Sequence, residues 1–272
     1  MTIHTALLQG RQLLEDAKIS APRLTAEVLL AHAAGHDRAW LFAHSDEELR
    51  EVWWIHYGRY LHQRLQGQPT QQITGVQEFY GRDFRVTPDV LIPRPETEHV
   101  IEAALKLGAR NIVDIGTGSG AIAITLALET GARVVGTDLS LAALRVAAQN
   151  SRRLGAAVQW LACDLASGLI DDSFDVVISN PPYVPARDKT ALQREVRDYE
   201  PEIALYGGDD GLEIYRRLIP EAERLLAPGG WLVMEIGYAL AEPISAMLGA
   251  WKEVEIRSDL AGLPRVILAQ RA

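Results

Sequence analysis

The sequence predicts an α/β fold in which a mostly parallel sheet with an antiparallel edge follows a small N-terminal helical bundle and a β-hairpin linker. Three observations predict it. After Glu96 short apolar runs alternate with amphipathic stretches, the pattern of a parallel sheet covered on both faces. Before Leu65 apolar residues recur at helical spacing. Between Gly67 and Pro95 short alternating segments are punctuated by glycine and proline. At 272 residues the chain exceeds one minimal core, since domains commonly hold roughly 100–200 residues. The expected division is a helical domain over 1–66, a hairpin linker over 67–95, and an α/β domain over 96–272.

In the first part, Leu7, Leu14, Leu24, Val28, Leu29, Leu41, Leu49, Val52 and Leu61 mark helices, with breaks near Ser20-Ala21-Pro22 and Gly35-His36-Asp37. Ser45, followed by Asp46, Glu47 and Glu48, has the pattern of an N-cap with an acidic first turn. Trp53, Trp54, His56, Tyr57 and Tyr60 follow on that helix and are read as core packing ahead of partner docking. Residues 77–80 and 83–86, joined at Gly81, predict the hairpin. Strands are then expected over 111–115, 133–137, 158–162, 174–179 and 231–236, with helices over 121–129, 141–154 and 212–226. Residues 254–256 and 265–269 lie too close together for a helical crossover, so they predict an antiparallel pair at the sheet edge.

Composition narrows the function. With 48% hydrophobic and 23% charged residues the chain reads as globular, and no apolar run approaches the ~20 residues of a membrane-spanning helix. The start lacks the basic and apolar regions of a signal peptide, so a cytoplasmic location is expected. Cys163 is the one cysteine, which excludes an internal disulfide and a cysteine-based metal cluster; it reads as a small core residue. A net charge of -9 and a pI near 5.3 argue against a broad phosphate-binding surface. A protein or small-molecule partner fits better.

Four strand ends carry the chemistry. The first runs into Gly116-Thr117-Gly118-Ser119-Gly120 and then a helix, where glycines permit a tight turn and close ligand approach beside free helix N–H groups. Taken alone this loop implies only a nucleoside cofactor, because Gly116, Gly118 and Ala121 also satisfy the dinucleotide fingerprint. The second ends at Asp138, whose carboxylate can accept ribose hydroxyls; Ser140 is the better helix cap nearby. The third ends at Asp164-Leu165, where an acid could accept an adenine amino group and Leu165 could cover the ring, or where Asp164 is merely solvated. The fourth ends in Asn180-Pro181-Pro182-Tyr183. Two prolines fix φ and cannot donate hydrogen bonds, so the carbonyls of Asn180 and Pro181 are presented rigidly. The Asn180 side chain adds an acceptor and Tyr183 a flat face, which together suit a planar NH₂ group.

On these residues the chain resembles the amino-methyltransferases that share an Asp/Asn-Pro-Pro-Tyr motif, on a Rossmann-like class I methyltransferase sheet. Within them it is similar to the glutamine methyltransferases of peptide-chain release factors. That resemblance rests on Gln68-Pro69, Ile73-Thr74-Gly75, Phe79-Tyr80-Gly81, Phe84-Arg85-Val86 and the run from Val90 to Pro93 with Arg94-Pro95-Glu96-Thr97-Glu98. Tyr199-Glu200-Pro201, Ala204-Leu205 and Gly207-Gly208-Asp209-Asp210-Gly211-Leu212 extend it. Gln72 stands where the family often has tyrosine, and Leu165 where some members carry an aromatic residue. The Arg94 to Glu98 run separates the chain from ribosomal-protein glutamine methyltransferases, which usually differ there.

The resemblance implies methyl transfer from S-adenosyl-L-methionine to the N5 amide nitrogen of the glutamine in a release factor's Gly-Gly-Gln loop, leaving S-adenosyl-L-homocysteine. Gly116 to Gly120, Asp138, Asp164, Leu165 and Asn180 would hold the cofactor. Asn180, Pro181, Pro182 and Tyr183 would hold the substrate, with Asn180, Pro181 and Tyr183 catalytic. No metal, membrane or stable nucleic-acid partner is expected. Competing readings are an adenine-N6 nucleic-acid methyltransferase, a ribosomal-protein glutamine methyltransferase, a nicotinamide-dependent oxidoreductase, which leaves the Asn180 motif unexplained, and a binding module without catalysis.

Overall fold

Proline, glycine and short polar residues set the helix ends in the first third of the chain. In the computed structural model, which describes Met1–Ala272, this region forms α1 (Ile3–Asp16), α2 (Pro22–Ala34), α3 (Arg38–Ala43), α4 (Glu51–Leu65) and α5 (Thr70–Thr74). Thr2 caps α1 by accepting from the Thr5 amide at 3.2 Å, and Asp37 caps α3 by accepting from Trp40 at 2.7 Å. Pro22 opens α2 with its preset φ, and Gly35 closes it in the left-handed region at φ 69°. Ser45 does not begin α4, whose N-cap is Arg50. The Ser45 and Glu47 carbonyls instead accept from His4 and Ile3 at 2.8 and 3.0 Å. The reason is the need of α1 for acceptors at its own free N–H groups, which this turn supplies.

These helices bury Ile3, Leu14, Leu29, Leu30, Leu41, Tyr57 and Leu61 in one core, with Trp53, Trp54 and Tyr60 half-buried against it. The chain divides into two compact units, Met1–Gly75 with Gln193–Tyr199, and Val76–Leu192 with Glu200–Ala272. The boundary differs from the expected 66/67 because Ile73 of α5 packs on the first core, whereas Phe79 and Phe84 of the hairpin are buried in a core of the second unit. The later helix α9 (Arg194–Tyr199) also folds with the first unit. Gln72 donates to the Tyr199 carbonyl at 2.9 Å, Tyr199 donates to the Gln66 carbonyl at 3.0 Å, and Arg64 pairs with Glu195.

In the second unit β1 (Val76–Phe79) and β2 (Arg82–Arg85) form the hairpin. Its turn places Tyr80 and Gly81 at φ 51° and 71°, the handedness that matches strand twist. A seven-stranded sheet follows, built from β3 (Asn111–Ile115), β4 (Arg133–Asp138), β5 (Val158–Ala162), β6 (Phe174–Ser179), β7 (Leu226–Glu235), β8 (Lys252–Ser258) and β9 (Pro264–Gln270), in spatial order β5-β4-β3-β6-β7-β9-β8. Strands β3 to β7 are parallel, and β9 lies antiparallel between β7 and β8. The sheet accompanies α6 (Glu98–Leu105), α7 (Ala121–Thr130), α8 (Leu141–Leu154), α10 (Glu213–Leu225) and α11 (Ala241–Met247). Two buried clusters cover it: Val100, Ile101, Ile122 and Leu126 belong to one, and Tyr215, Leu218, Leu225 and Ile244 to the other. No helix is long and apolar enough to cross a membrane. Strand order reverses between β3 and β6, so a crevice opens at their carboxyl ends, the usual ligand position in such sheets.

Gly10 of α1 offers a test of core packing. A Cβ there would lie 1.9 Å from the Tyr57 hydroxyl, which is buried without a hydrogen-bond partner. An exposed helical Gly→Ala change gains up to about 1 kcal/mol, but overpacking costs about 1–3 kcal/mol. Gly10→Ala is therefore expected to destabilise the first unit in denaturant unfolding. Adding Tyr57→Phe, which removes the clashing and unsatisfied oxygen, should restore part of the loss.

Candidate functional site

The glycine loop after β3 turns two of its residues toward the crevice and the others inward. Gly116 and Gly118 hold φ of 75° and 55° with open space where a side chain would stand, and both line the crevice. Gly120, at φ 82°, has no such room, since a Cβ would meet Ile124, Ala147 and Trp160 at 2.9–3.1 Å. Thr117 and Ser119 are buried. Thr117 donates to Asp114 Oδ2 at 2.5 Å, the Gly116 and Thr117 amides both donate to the Thr137 carbonyl, and Asn150 Nδ2 donates to the Ser119 carbonyl at 2.9 Å. The side chains of Thr117 and Ser119 thus shape the loop from behind.

Asp114 organises that turn. Fully buried at the centre of the sheet, it accepts from Thr117 and from the Ala123 amide at 3.2 Å, the first turn of α7. Burial pushes its carboxyl up to about 7, against the pull of those two hydrogen bonds, and neighbouring Asp138 adds to the rise. An aspartate inside an apolar strand is itself a signal, visible in the sequence, of a structural or functional demand.

Asp138 ends β4 on the crevice wall. Its Oδ2 accepts from the Gly118 amide at 2.9 Å and its Oδ1 from the Ser140 amide at 2.8 Å, which leaves lone pairs on both oxygens. Ser140 caps α8 by accepting from Ala143 at 3.2 Å. Asp164 and Leu165 also line the crevice. Asp164 is not simply solvated, because Arg217 of α10 donates to it at 2.6 Å. Leu165 takes a left-handed φ of 48°, held by Thr137 Oγ1 donating to its carbonyl at 2.6 Å. Apolar surface comes from Val90, Leu91, Ile203 and Ala204.

The fourth motif leaves β6 beside the loop, with Ser179 Oγ donating to the Ile115 carbonyl at 2.7 Å and so binding the two strand ends together. Asn180 and Pro182 line the crevice, whereas Pro181 is buried and Tyr183 is not part of the lining. The Tyr183 ring packs on the second core and its hydroxyl donates to Glu235 Oε1 at 3.3 Å. Burial and the adjacent Glu235 carboxylate hold that phenol well above its ordinary range. Asn180 Nδ2 donates to Thr97 Oγ1 at 3.2 Å, and Thr97 donates to Glu235 Oε2 at 2.6 Å.

Behind the motif runs the Gly207 to Gly211 segment. Val184 bridges to Tyr206, and the Ala186 amide donates to the Gly208 carbonyl at 2.9 Å. A Cβ on Gly207 would lie 2.6 Å from the Pro182 carbonyl oxygen, and one on Gly211 2.4 Å from that of Tyr183. The glycines are the contact surface itself. Glu200, also buried, accepts from the Ile92 amide at 3.1 Å and from Arg94 at 2.5 Å, tying the segment after the motif to the run that begins α6.

The site therefore joins a loop suited to a nucleoside ligand, a carboxylate on β4 and a carboxamide on β6, all facing one crevice. Gly116, Gly118 and Asp138 fit S-adenosylmethionine, since two unhindered glycines admit close approach and the carboxylate retains acceptor capacity.

Comparison with known proteins is consistent with both units. A family model described as "PrmC N-terminal domain" matches residues 5–75, and one described as "Methyltransferase small domain" matches 97–198. The chain is 44% identical over 277 residues to a "Release factor glutamine methyltransferase" of Koribacter versatilis, covering 100% of this chain and 99% of that one. A protein of the same name from Nitratidesulfovibrio vulgaris is 43% identical, covering 99% and 95%. Among solved structures, a methyltransferase from Pyrococcus furiosus superposes with a TM-score of 0.55 at 20% identity, covering 71% of this chain and 91% of that one. The hMettl16 catalytic domain superposes with a TM-score of 0.60 at 16% identity, covering 75% and 80%. These two show the shared fold.

Gly211→Ala tests the buttress. The added methyl meets the Tyr183 carbonyl oxygen at a position whose φ of 79° already disfavours any side chain. The variant is expected to be less stable by roughly 2–5 kcal/mol, from about 1–2 kcal/mol of left-handed strain and about 1–3 kcal/mol of overpacking. Denaturant unfolding within 0.5 kcal/mol of wild type, the range of a neutral surface change, would contradict the close approach.

Proposed function

Because the chain belongs to the release factor glutamine methyltransferase family, we propose that its crevice holds S-adenosylmethionine and its Asn180-Pro181-Pro182-Tyr183 turn receives a release factor's glutamine amide. The reaction is methylation of the N5 amide nitrogen in the Gly-Gly-Gln loop: an N–C bond forms as the sulfonium S–CH₃ bond breaks, and S-adenosylhomocysteine and one N–H proton, released to solvent, are the other products. One observation carries this reading: the Asn180 amide nitrogen is engaged by Thr97, so the oxygen of its carboxamide is the atom left for a ligand in the crevice that Asp138 and the glycine loop also line.

An amide nitrogen is a poor nucleophile because its lone pair is delocalised into the carbonyl. When bound, S-adenosylmethionine supplies a sulfonium methyl as the electrophile. The chain's own task is to orient the NH₂ and to stabilise the positive charge that grows on it. Asn180 Oδ1 and the Pro181 carbonyl accept its N–H groups, contacts that strengthen as the nitrogen gains charge. Pro181 and Pro182 keep those acceptors from turning away, since neither has φ freedom. Asp138 would accept from the ribose, while Asp164 and Leu165 would border the adenine. Tyr183 frames the substrate end of the turn from its anchored position.

A glutamine side chain offers few atoms for recognition, so selection of one glutamine needs binding energy from surface remote from the reacting amide. The first unit carries none of the cofactor residues and is assigned this docking role. The protein accordingly acts in the cytoplasm on a protein substrate, with no metal. The net charge of -9 disfavours the alternative of an adenine methyltransferase on nucleic acid.

Mass spectrometry of a release factor incubated with this protein and S-adenosylmethionine should show one added methyl on the Gly-Gly-Gln glutamine; modification elsewhere or none would refute the assignment. Two variants separate binding from chemistry. Asp138→Ala is expected to weaken S-adenosylmethionine binding by ~2 kcal/mol or more in calorimetry, as a charge-assisted bidentate contact is lost. Asn180→Ala should retain most cofactor affinity yet slow single-turnover methylation by ~10²–10³, by analogy with a lost oxyanion-hole donor. A folded Asn180→Ala enzyme working at near wild-type rate would remove Asn180 from the mechanism.

A further inference from the structure

The reading above needs the oxygen of the Asn180 carboxamide, and not its NH₂, to face the substrate. An asparagine side chain can present either atom, because the two ends have nearly the same shape. Something must choose. The chain of contacts behind Asn180 runs from its Nδ2 to Thr97 Oγ1 at 3.2 Å, and from Thr97 to Glu235 Oε2 at 2.6 Å. Glu235 closes β7 and is 2% exposed. Its other oxygen accepts from Tyr183 at 3.3 Å, and its backbone carbonyl accepts from Tyr215 of α10 at 2.8 Å.

Hydrogen-bond polarity then propagates outward. An ionised carboxylate only accepts, so Thr97 must give it the one hydroxyl proton it has. The Thr97 oxygen is left with lone pairs, and the group facing it from Asn180 must be a donor. That places Nδ2 on Thr97 and turns Oδ1 to the crevice. We propose that Glu235 is a positioning residue which, through Thr97, sets the orientation of the Asn180 carboxamide, and which at the same time anchors Tyr183. The proposal rests on the methylation reading for its consequence, since an inverted amide would present a donor to the N–H groups of the substrate.

A protonated Glu235 loses this instruction. With a proton of its own to donate to Thr97, it frees the threonine proton to go to Asn180, and the carboxamide can turn over. Burial pushes the Glu235 carboxyl up to about 7, opposed by the hydrogen bonds from Thr97 and Tyr183. Glu96, before α6, adds to the rise, and Arg265 of β9 works against it. The remaining charged or titratable neighbours are Tyr183 and Tyr215, both held above their ordinary range by burial, and Arg94, which acts on Tyr183. The sign follows: the working carboxylate is the form present above pH 7, so methyl transfer should rise as pH increases through that region.

The test uses the whole 272-residue chain. Glu235→Gln keeps size but can donate from its amide to Thr97, and Thr97→Val keeps shape but removes the hydroxyl. Each is expected to lower kcat by ~10² while the calorimetric affinity for S-adenosylmethionine changes by no more than about twofold. The double variant should be no slower than the worse single one, because both cut the same chain of contacts. Thr97→Ser, which retains the hydroxyl, should stay near wild type. The wild-type rate should have an ascending limb centred near pH 7 that Glu235→Gln lacks.

A readout without substrate keeps the network separate from the reaction. The sequence contains three asparagines, Asn111, Asn150 and Asn180, so selective ¹⁵N labelling resolves the Asn180 side-chain amide, assigned by its loss in Asn180→Asp. Its shift should titrate near pH 7 in wild type and not in Glu235→Gln. Should that titration appear in a protein that fails to methylate any release factor, the network stands and the assigned reaction falls. A folded Glu235→Gln enzyme within about threefold of wild-type rate overturns the proposal, as do multiplicative losses in the double variant or an Asn180 signal indifferent to Glu235.

Discussion

The reversal of strand order between β3 and β6 is the constraint on which the second unit depends. Two parallel strands that neighbour each other, yet send their following segments to opposite sides, leave a crevice that no side chain is obliged to fill. Ser179 Oγ, donating to the Ile115 carbonyl, ties the two strand ends together at that point. The glycine loop and the Asn180 turn therefore emerge side by side although about sixty residues separate them in sequence. Asp138 joins from the next strand, so one crevice can serve both halves of a group-transfer reaction.

Around this crevice the loops are shaped by buried polar groups more than by apolar packing. Asp114 and Glu235 both stand in otherwise apolar strands, and burial raises both carboxyls to about 7. Each works as a hub of acceptors: Asp114 gathers Thr117 and the start of α7, while Glu235 gathers Thr97 and Tyr183. Such groups are costly to bury, and their partners make the cost tolerable. In return the loop conformations become nearly single-valued, which a site that must hold a planar amide in one orientation requires.

Glycine does the complementary work where backbones touch. Gly207 and Gly211 let one segment lie directly against the carbonyls of Pro182 and Tyr183, so the turn is held from the front by proline and from behind by main chain. The first unit relies on the same device at Gly10, which clears space for Tyr57. In both places a missing side chain creates a contact.

Strand and helix periodicity, the glycine loop and the double proline were legible in the sequence because each is a local rule, acting over a few neighbouring residues. That is why the order of β and α elements, the antiparallel edge and the positions of Gly116, Asp138 and Asn180 followed from the sequence alone. Capping was less legible: Ser45 has the chemistry of an N-cap, yet its carbonyl serves α1, a choice made by a helix far away in sequence. The same limit hid Thr97 and Glu235, which look like a loop threonine and a strand-end acid until β6, β7 and the start of α6 are brought together. It also explains why Thr117 and Ser119 turn inward and why Tyr183 gives its hydroxyl to Glu235. The sequence by itself determined which residue types stand at the strand ends where the crevice opens. Only the tertiary structure decided which way they point, because hydrogen-bond direction inside a core depends on partners that the chain meets long after leaving them.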